Sequence, residues 1–278
     1  MSPIISSSEL RNLSAENLIL LDARVGKDVH QTYLEKHIKG ARFIDLDKDL
    51  AEIGEDAAFG GRHPLPDITK FAETLSNLGV SEDAHVVIYD DKNGANAAAR
   101  AWWMLKSFGL QNVQVLDGGF QAAEKNGLEF SSGEETFEKS SVIKKEDWLL
   151  PVKALETIEN ELLSHSSTVV DVRDAYRYNG ESEPIDLVAG HIPGAINIPF
   201  SENLDENGNF LKSEILKQKY TELLKDKPQH LIIHCGSGVT ACHTILALNY
   251  AGFPIPDLYV GSWSEWSRRE GKEIAREV

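Results

Sequence analysis

Short β-branched runs alternate with amphipathic stretches along most of this chain. The alternation predicts strands joined by helices, in a mainly parallel sheet covered by helices. In the second half, "LKSEILKQKYTELL" has helical spacing and precedes "HLIIHC", an apolar run ending at Cys235. A short loop of small residues follows and opens into a second apolar-periodic stretch ending "LNYAG". In the first half, "HVVIYD" (His85–Asp90) leads in the same way into a helical stretch ending "MLKSFG". Such a strand end, where strand-to-helix turns gather, is where parallel sheets place their ligands.

The pattern occurs twice. "LLDAR" (Leu20–Arg24) answers to "VVDVR" (Val169–Arg173), and "HIKGARFIDL" (His37–Leu46) to "HIPGAINIPF" (His191–Phe200). "VQVLDGGFQAAEKNG" answers to "LYVGSWSEWSRREG". Landmarks in one order, offset by about half the chain, mean a duplication. We read an α/β protein of two homologous domains, 1–130 and 152–278, joined by a linker over 131–151. The stretch "LEFSSGEETFEKSSVIKKED" around that linker is polar and lacks periodicity.

The duplication supplies an internal comparison. Where the second copy has Cys235 the first has Asp90, and its segment from there to the closing glycine is two residues longer. One copy therefore reads as chemically competent and the other as degenerate.

Composition narrows the class. The chain has 278 residues, 41% apolar and 26% charged, an ordinary globular balance. A net charge of −16 leaves no basic face for nucleic acid, so no nucleic-acid partner is expected. No basic, apolar-cored leader opens the chain and no apolar run approaches a membrane span, so no membrane partner is expected. Two cysteines supply neither a disulfide framework nor a metal-ligand set; no metal and no cofactor are expected, and a reducing cytoplasm is the expected setting.

In "CGSGVTA", Cys235 ends a strand, and Gly236, Ser237, Gly238, Val239 and Thr240 lead into a helix. Backbone N–H groups there lack intrahelical partners, and the glycines let the loop curl them toward one centre. A sulfur in that centre lies at the positive end of a helix dipole, where thiolate is favoured over thiol. The hydroxyls of Ser237 and Thr240 add two donors. Such a cradle suits two chemistries. Phosphate-ester hydrolysis by cysteine uses an Arg after five intervening residues, and Ala241 stands there. Sulfur transfer needs no such clamp, because a persulfide carries its charge on the outer sulfur, within reach of the amides. Cys242, seven positions on, is expected about two turns into the helix and facing the core.

With these motifs in view, the whole chain resembles the two-domain rhodanese-type sulfurtransferases, a family that includes thiosulfate and 3-mercaptopyruvate sulfurtransferases. The likeness rests on the "HIKGA"/"HIPGA" pair, "RAWWMLKSFG", "VLDGGF", "CGSGVTA" and "GSWSEWS". It implies two tandem rhodanese-like domains, a persulfide on Cys235, a catalytically inactive first domain and a site in the cleft between them. It also implies a small-molecule sulfur donor, and an acceptor that is a thiol, cyanide or thioredoxin. The alternatives are a thiosulfate:cyanide sulfurtransferase with the same mechanism, or a low-turnover persulfide carrier.

Within the family the loop tracks the donor. Thiosulfate-preferring members tend to place cations in it, whereas "CGSGVT" looks like the mercaptopyruvate type, in which Ser237 helps polarise the donor. In that type two arginines bind the donor carboxylate. Arg177 in "AYRYNGESEP" matches the first; at the second, in "EPID", Ile185 stands instead. Arg62 or His63 in "GGRHPLP" is a candidate for the missing charge. Arg24 and Arg173 read as strand-end anchors paired with the Asp two residues earlier. His37 and His191 read as locally bonded, His234 and His243 as no general base. Trp102, Trp103, Trp263 and Trp266 read as packing residues.

Overall fold

The computed structural model describes residues 1–14 and 16–277. They divide into two compact units: Met1–Glu52 with Pro66–Leu149 and Glu206–Asn209, and Ile53–Leu65 with Leu150–Asp205 and Phe210–Val278.

Each unit holds a five-stranded parallel sheet, and the two sheets have one strand order. In the first it runs Ile4–Ile5, Val113–Leu116, His85–Tyr89, Leu18–Asp22, Ala41–Phe43. In the second it runs Val152–Lys153, Asp257–Tyr259, Leu231–His234, Thr168–Asp171, Ile196–Asn197. The central strands, His85–Tyr89 and Leu231–His234, are those that run into Asp90 and Cys235. Their apolar residues are continuous because both faces of a parallel sheet are covered: Val86, Val87 and Ile88 are wholly buried, and Ile232 and Ile233 nearly so.

The flanking helices follow from their apolar spacing. Ser213–Leu224 buries Leu216, Tyr220 and Leu224, which lie four residues apart on one face. Thr240–Tyr250 buries nearly its whole length, as does Ala97–Phe108, which closes on Gly109 in the left-handed region at φ 106°. Trp102 and Trp103 are wholly buried in the first unit, and Trp263 and Trp266 belong to the core of the second.

Ion pairs close matching strand ends. Arg24 donates from Nε and Nη2 to Asp22, and Arg173 does the same to Asp171. Tyr33 stacks on His37 at 4.2 Å and Tyr178 on His191 at 3.7 Å, each histidine Nδ1 lying 2.8 Å from its tyrosine's carbonyl. The histidines are thus local braces.

Two features lay outside the sequence pattern. Phe130–Ser131 pairs antiparallel with His37–Ile38, so the polar stretch after Gly127 starts as a strand. Residues 53–65, which lie within the first repeat by sequence, group with the second unit. The amide of Gly60 donates to Glu265 Oε1 at 3.0 Å and that of Arg62 to Ser264 Oγ at 3.0 Å.

Candidate active site

Cys235 follows the central strand of the second unit and is 1% exposed. Its amide donates to Ser262 Oγ at 3.1 Å, and its carbonyl accepts from the Trp263 amide at 3.0 Å. The Ser264 amide donates to the Gly236 carbonyl at 2.8 Å. The "GSWSEWS" segment therefore braces the loop from outside. Ser262 holds a left-handed φ of 55°, which costs a non-glycine residue of order 1 kcal/mol or more. Its hydroxyl is committed at both ends, accepting from Cys235 and donating to the Tyr259 carbonyl at 2.8 Å.

The loop curls as the glycines permit. Gly238 has φ 72°, and a Cβ there would lie 2.7 Å from the Val260 carbonyl oxygen, so only glycine fits. The amides of Gly236, Ser237 and Val239 find no hydrogen-bond partner among the described residues. The helix begins at Thr240, so these donors and its positive end serve the same small region. Ser237 Oγ lies 2.8 Å from His63 Nδ1.

Two guanidinium groups overhang the loop. A Cβ on Gly236 would come within 3.0 Å of Arg62 Nη2 and 3.5 Å of Arg177 Nη2. Arg177 is held by Glu183, which accepts from its Nε and, at 2.8 Å, from its Nη2. Burial pushes the Glu183 carboxyl up, but the Arg177 hydrogen bond, the amides of Asp186 and Ile185 and the Arg177 charge outweigh it, and it stays below the ordinary range. Arg62 is held by Asp186, whose Oδ1 accepts from Arg62 Nε at 3.1 Å and from Arg268 Nη1 at 2.9 Å. Asp186 Oδ2 lies 3.5 Å from Arg177 Nη2.

The first unit shows the same loop closed on itself. Asp90 is wholly buried, and its carboxylate accepts from the amides of Lys92, Gly94, Asn96 and Ala98 at 2.8–3.1 Å. The donors that stand open beside Cys235 are consumed there by the chain's own anion.

A rhodanese-like domain model matches this chain twice, over residues 6–126 and 153–269. The chain belongs to the rhodanese family. A probable 3-mercaptopyruvate sulfurtransferase of Pseudomonas aeruginosa is 43% identical over 269 residues, covering 95% of this chain and 94% of that protein. A thiosulfate sulfurtransferase of Gallus gallus is 38% identical over 244 residues, covering 87% and 82%. The crystal structure of the 3-mercaptopyruvate sulfotransferase SseA of Escherichia coli aligns at TM-score 0.81 and 30% identity, covering 95% of this chain and all of that one.

Within this rhodanese, the residues singled out by sequence gather on one loop: Cys235, Gly236, Ser237, Gly238, Val239 and Thr240 form it, Arg62 and Arg177 overhang it, and His63 meets Ser237. Ile185, at the expected second arginine position, is 56% exposed and supplies no charge. Cys242 is buried as expected, but it stands in the first turn of its helix, not two turns in. The loop takes up five residues before the helix begins at Thr240, and Cys242 Sγ sits 3.3 Å from the Gly238 carbonyl.

His234 is no base. Burial holds its imidazole below the ordinary range despite the attraction of Asp171, and Nδ1 rests against the Cys235 carbonyl. His243 is buried against the Phe210 ring at 4.6 Å. Sequence reasoning missed Glu183, Asp186, Ser262 and Arg268. Asp186 carried a signal, an acid directly after the missing cation, whereas Arg268 is brought in from 82 positions away and carried none.

Among the described residues no group of His, Cys, Asp and Glu is arranged to hold a metal ion. Among the same residues no helix is long and apolar enough to cross a membrane.

Proposed function

We propose that this rhodanese moves a sulfane sulfur from a small anionic donor, 3-mercaptopyruvate ahead of thiosulfate, to a thiophilic acceptor through a persulfide on Cys235. The observation that carries the reading is the uncharged, amide-lined loop under Arg62 and Arg177, with Ser237 paired to His63. The guanidiniums can receive the donor's carboxylate. The Cys235 thiolate then attacks the donor sulfur, the carbon–sulfur bond breaks, and its electron pair passes to the carbon as the enolate of pyruvate. That enolate takes up a proton and leaves as pyruvate. Ser237, held by His63, is placed to hydrogen-bond the donor's oxygen while charge develops on it.

The outer sulfur of the persulfide bears the negative charge, and the amides of Gly236, Ser237 and Val239 can hold it. An acceptor thiolate or cyanide attacks that sulfur, the sulfur–sulfur bond breaks, and Cys235 returns as thiolate. Thioredoxin and small thiols are the acceptors we favour in a reducing cytoplasm. The loop holds no cation between Cys235 and Gly252, which suits a carboxylate donor over dianionic thiosulfate.

Mass spectrometry after incubation with 3-mercaptopyruvate should show one added sulfur on Cys235, absent from Cys235→Ser. An unmodified Cys235 sinks the mechanism. A higher kcat/KM with thiosulfate than with 3-mercaptopyruvate overturns the donor order, and an adduct that no acceptor discharges identifies a carrier.

A further inference from the structure

The charges beside Cys235 are nearly, but not fully, balanced. Arg62, Arg177 and Arg268 face two carboxylates, Glu183 and Asp186. Arg173 pairs with Asp171 and also reaches Glu183 Oε2 at 3.2 Å, so it adds one charge of each sign to the count, as do Arg269 and Glu265. One positive charge is therefore left over in a protein of net charge −16. The Asp186 side chain is wholly shielded from solvent, while those of Arg62 and Arg268 are 27% and 15% exposed. The carboxylate is the buried hub on which the three guanidiniums meet, and Arg62 and Arg177 extend from it over Gly236.

We infer that Asp186, with Arg268, sets the charge class of the donor: it positions Arg62 in place of the cation missing at Ile185 and trims the site to one net positive charge. This deepens the proposed sulfur transfer and rests on the same loop, but it concerns anion binding and does not require the persulfide. Asp186 Oδ1 is shared by Arg62 Nε and Arg268 Nη1, so either arginine that swung away would leave the buried carboxylate one charged donor short. Arg268 Nη1 also donates to the Ser264 carbonyl, and Ser264 Oγ in turn accepts from the Arg62 amide. Arg62 is thus fixed at both backbone and side chain, with Nη2 over Gly236. Each positive charge that Asp186 compensates weakens the hold on a dianion more than that on a monoanionic carboxylate.

The test compares anions that bind without reacting. Titration calorimetry with pyruvate and with sulfate, on the parent, Asp186→Asn and Arg268→Gln, gives the preference for monoanion over dianion. Asp186→Asn adds one positive charge and is expected to move the ratio of dissociation constants about tenfold toward sulfate. Arg268→Gln removes one and is expected to move it about as far toward pyruvate. A ratio unchanged in both variants, or both moving the same way, overturns the inference. If Asp186→Asn does not fold, the direction of the Arg268→Gln shift decides alone. A parent that binds these anions with shifted ratios in the variants, yet forms no persulfide, refutes the sulfur-transfer reading and leaves this one standing.

Discussion

Replacing Asp90 by Asn tests whether the first unit's loop is held shut by its own carboxylate. Asp90 Oδ1 accepts from Lys92 and Gly94, and Oδ2 from Asn96 and Ala98. An asparagine keeps one oxygen and turns an NH2 toward the other pair of amides. Two buried donors then lose their acceptor, at about 1–3 kcal/mol each. Part of this is returned, because burial already disfavours the Asp90 carboxylate and pushes its carboxyl up in spite of the four amides. The net expectation is about 3 kcal/mol of local destabilisation. Two of these amides, those of Asn96 and Ala98, stand at the start of the helix Ala97–Phe108, so hydrogen exchange over that helix is the direct readout. Exchange there should quicken about a hundredfold at neutral pH, with strand Thr168–Asp171 unchanged. Protection within about twofold of the parent would show that the carboxylate is not what closes the loop.

Two further outcomes follow from the second unit. Ser237→Ala removes the partner of His63 Nδ1 and should lower kcat with 3-mercaptopyruvate by about a hundredfold, leaving KM within a few fold. Steady-state kinetics check this, and an unchanged kcat would remove Ser237 from the chemistry. Burial lowers the His234 imidazole, so the unfolded chain binds a proton near pH 6.5 that the folded chain refuses. Stability should therefore fall with decreasing pH below that value, by up to about 1.4 kcal/mol per unit. Asp171 and Glu183, both held below the ordinary carboxylate range, add their loss further down, below about pH 4. Denaturant titrations at several pH values should show the first slope in the parent and a flatter one in His234→Asn; equal slopes would refute the assignment.

Much of the fold was legible because duplication writes the same periodicities twice. Short apolar runs and helices spaced to match became two five-stranded sheets of one strand order. The Asp22–Arg24 and Asp171–Arg173 pairs were legible too, since partners two residues apart at a strand end need no tertiary information. The depth of Cys242 in its helix was misjudged because glycine loops have no period from which to count the first helical residue. Residues 53–65 belong to the first repeat by sequence yet group with the second unit, since which unit a loop packs against depends on Gly60–Glu265 and Arg62–Ser264, bonds that span more than 200 positions.

The sequence by itself determined the strand-end position of Cys235, the glycine loop that follows it and the absence of a cation within that loop. These are local properties: backbone donors at a helix start depend on a few adjacent residues. The motifs pointed to Arg177 and offered Arg62, but only the tertiary structure decided how they are held and brought in Arg268. Arg62, Arg177 and Arg268 lie far apart along the chain and meet on Asp186, a buried carboxylate that needs several guanidiniums to compensate its desolvation. Likewise, that Asp90 fills its own amide cradle follows from a carboxylate folding back on its loop, a closure that periodicity cannot reveal.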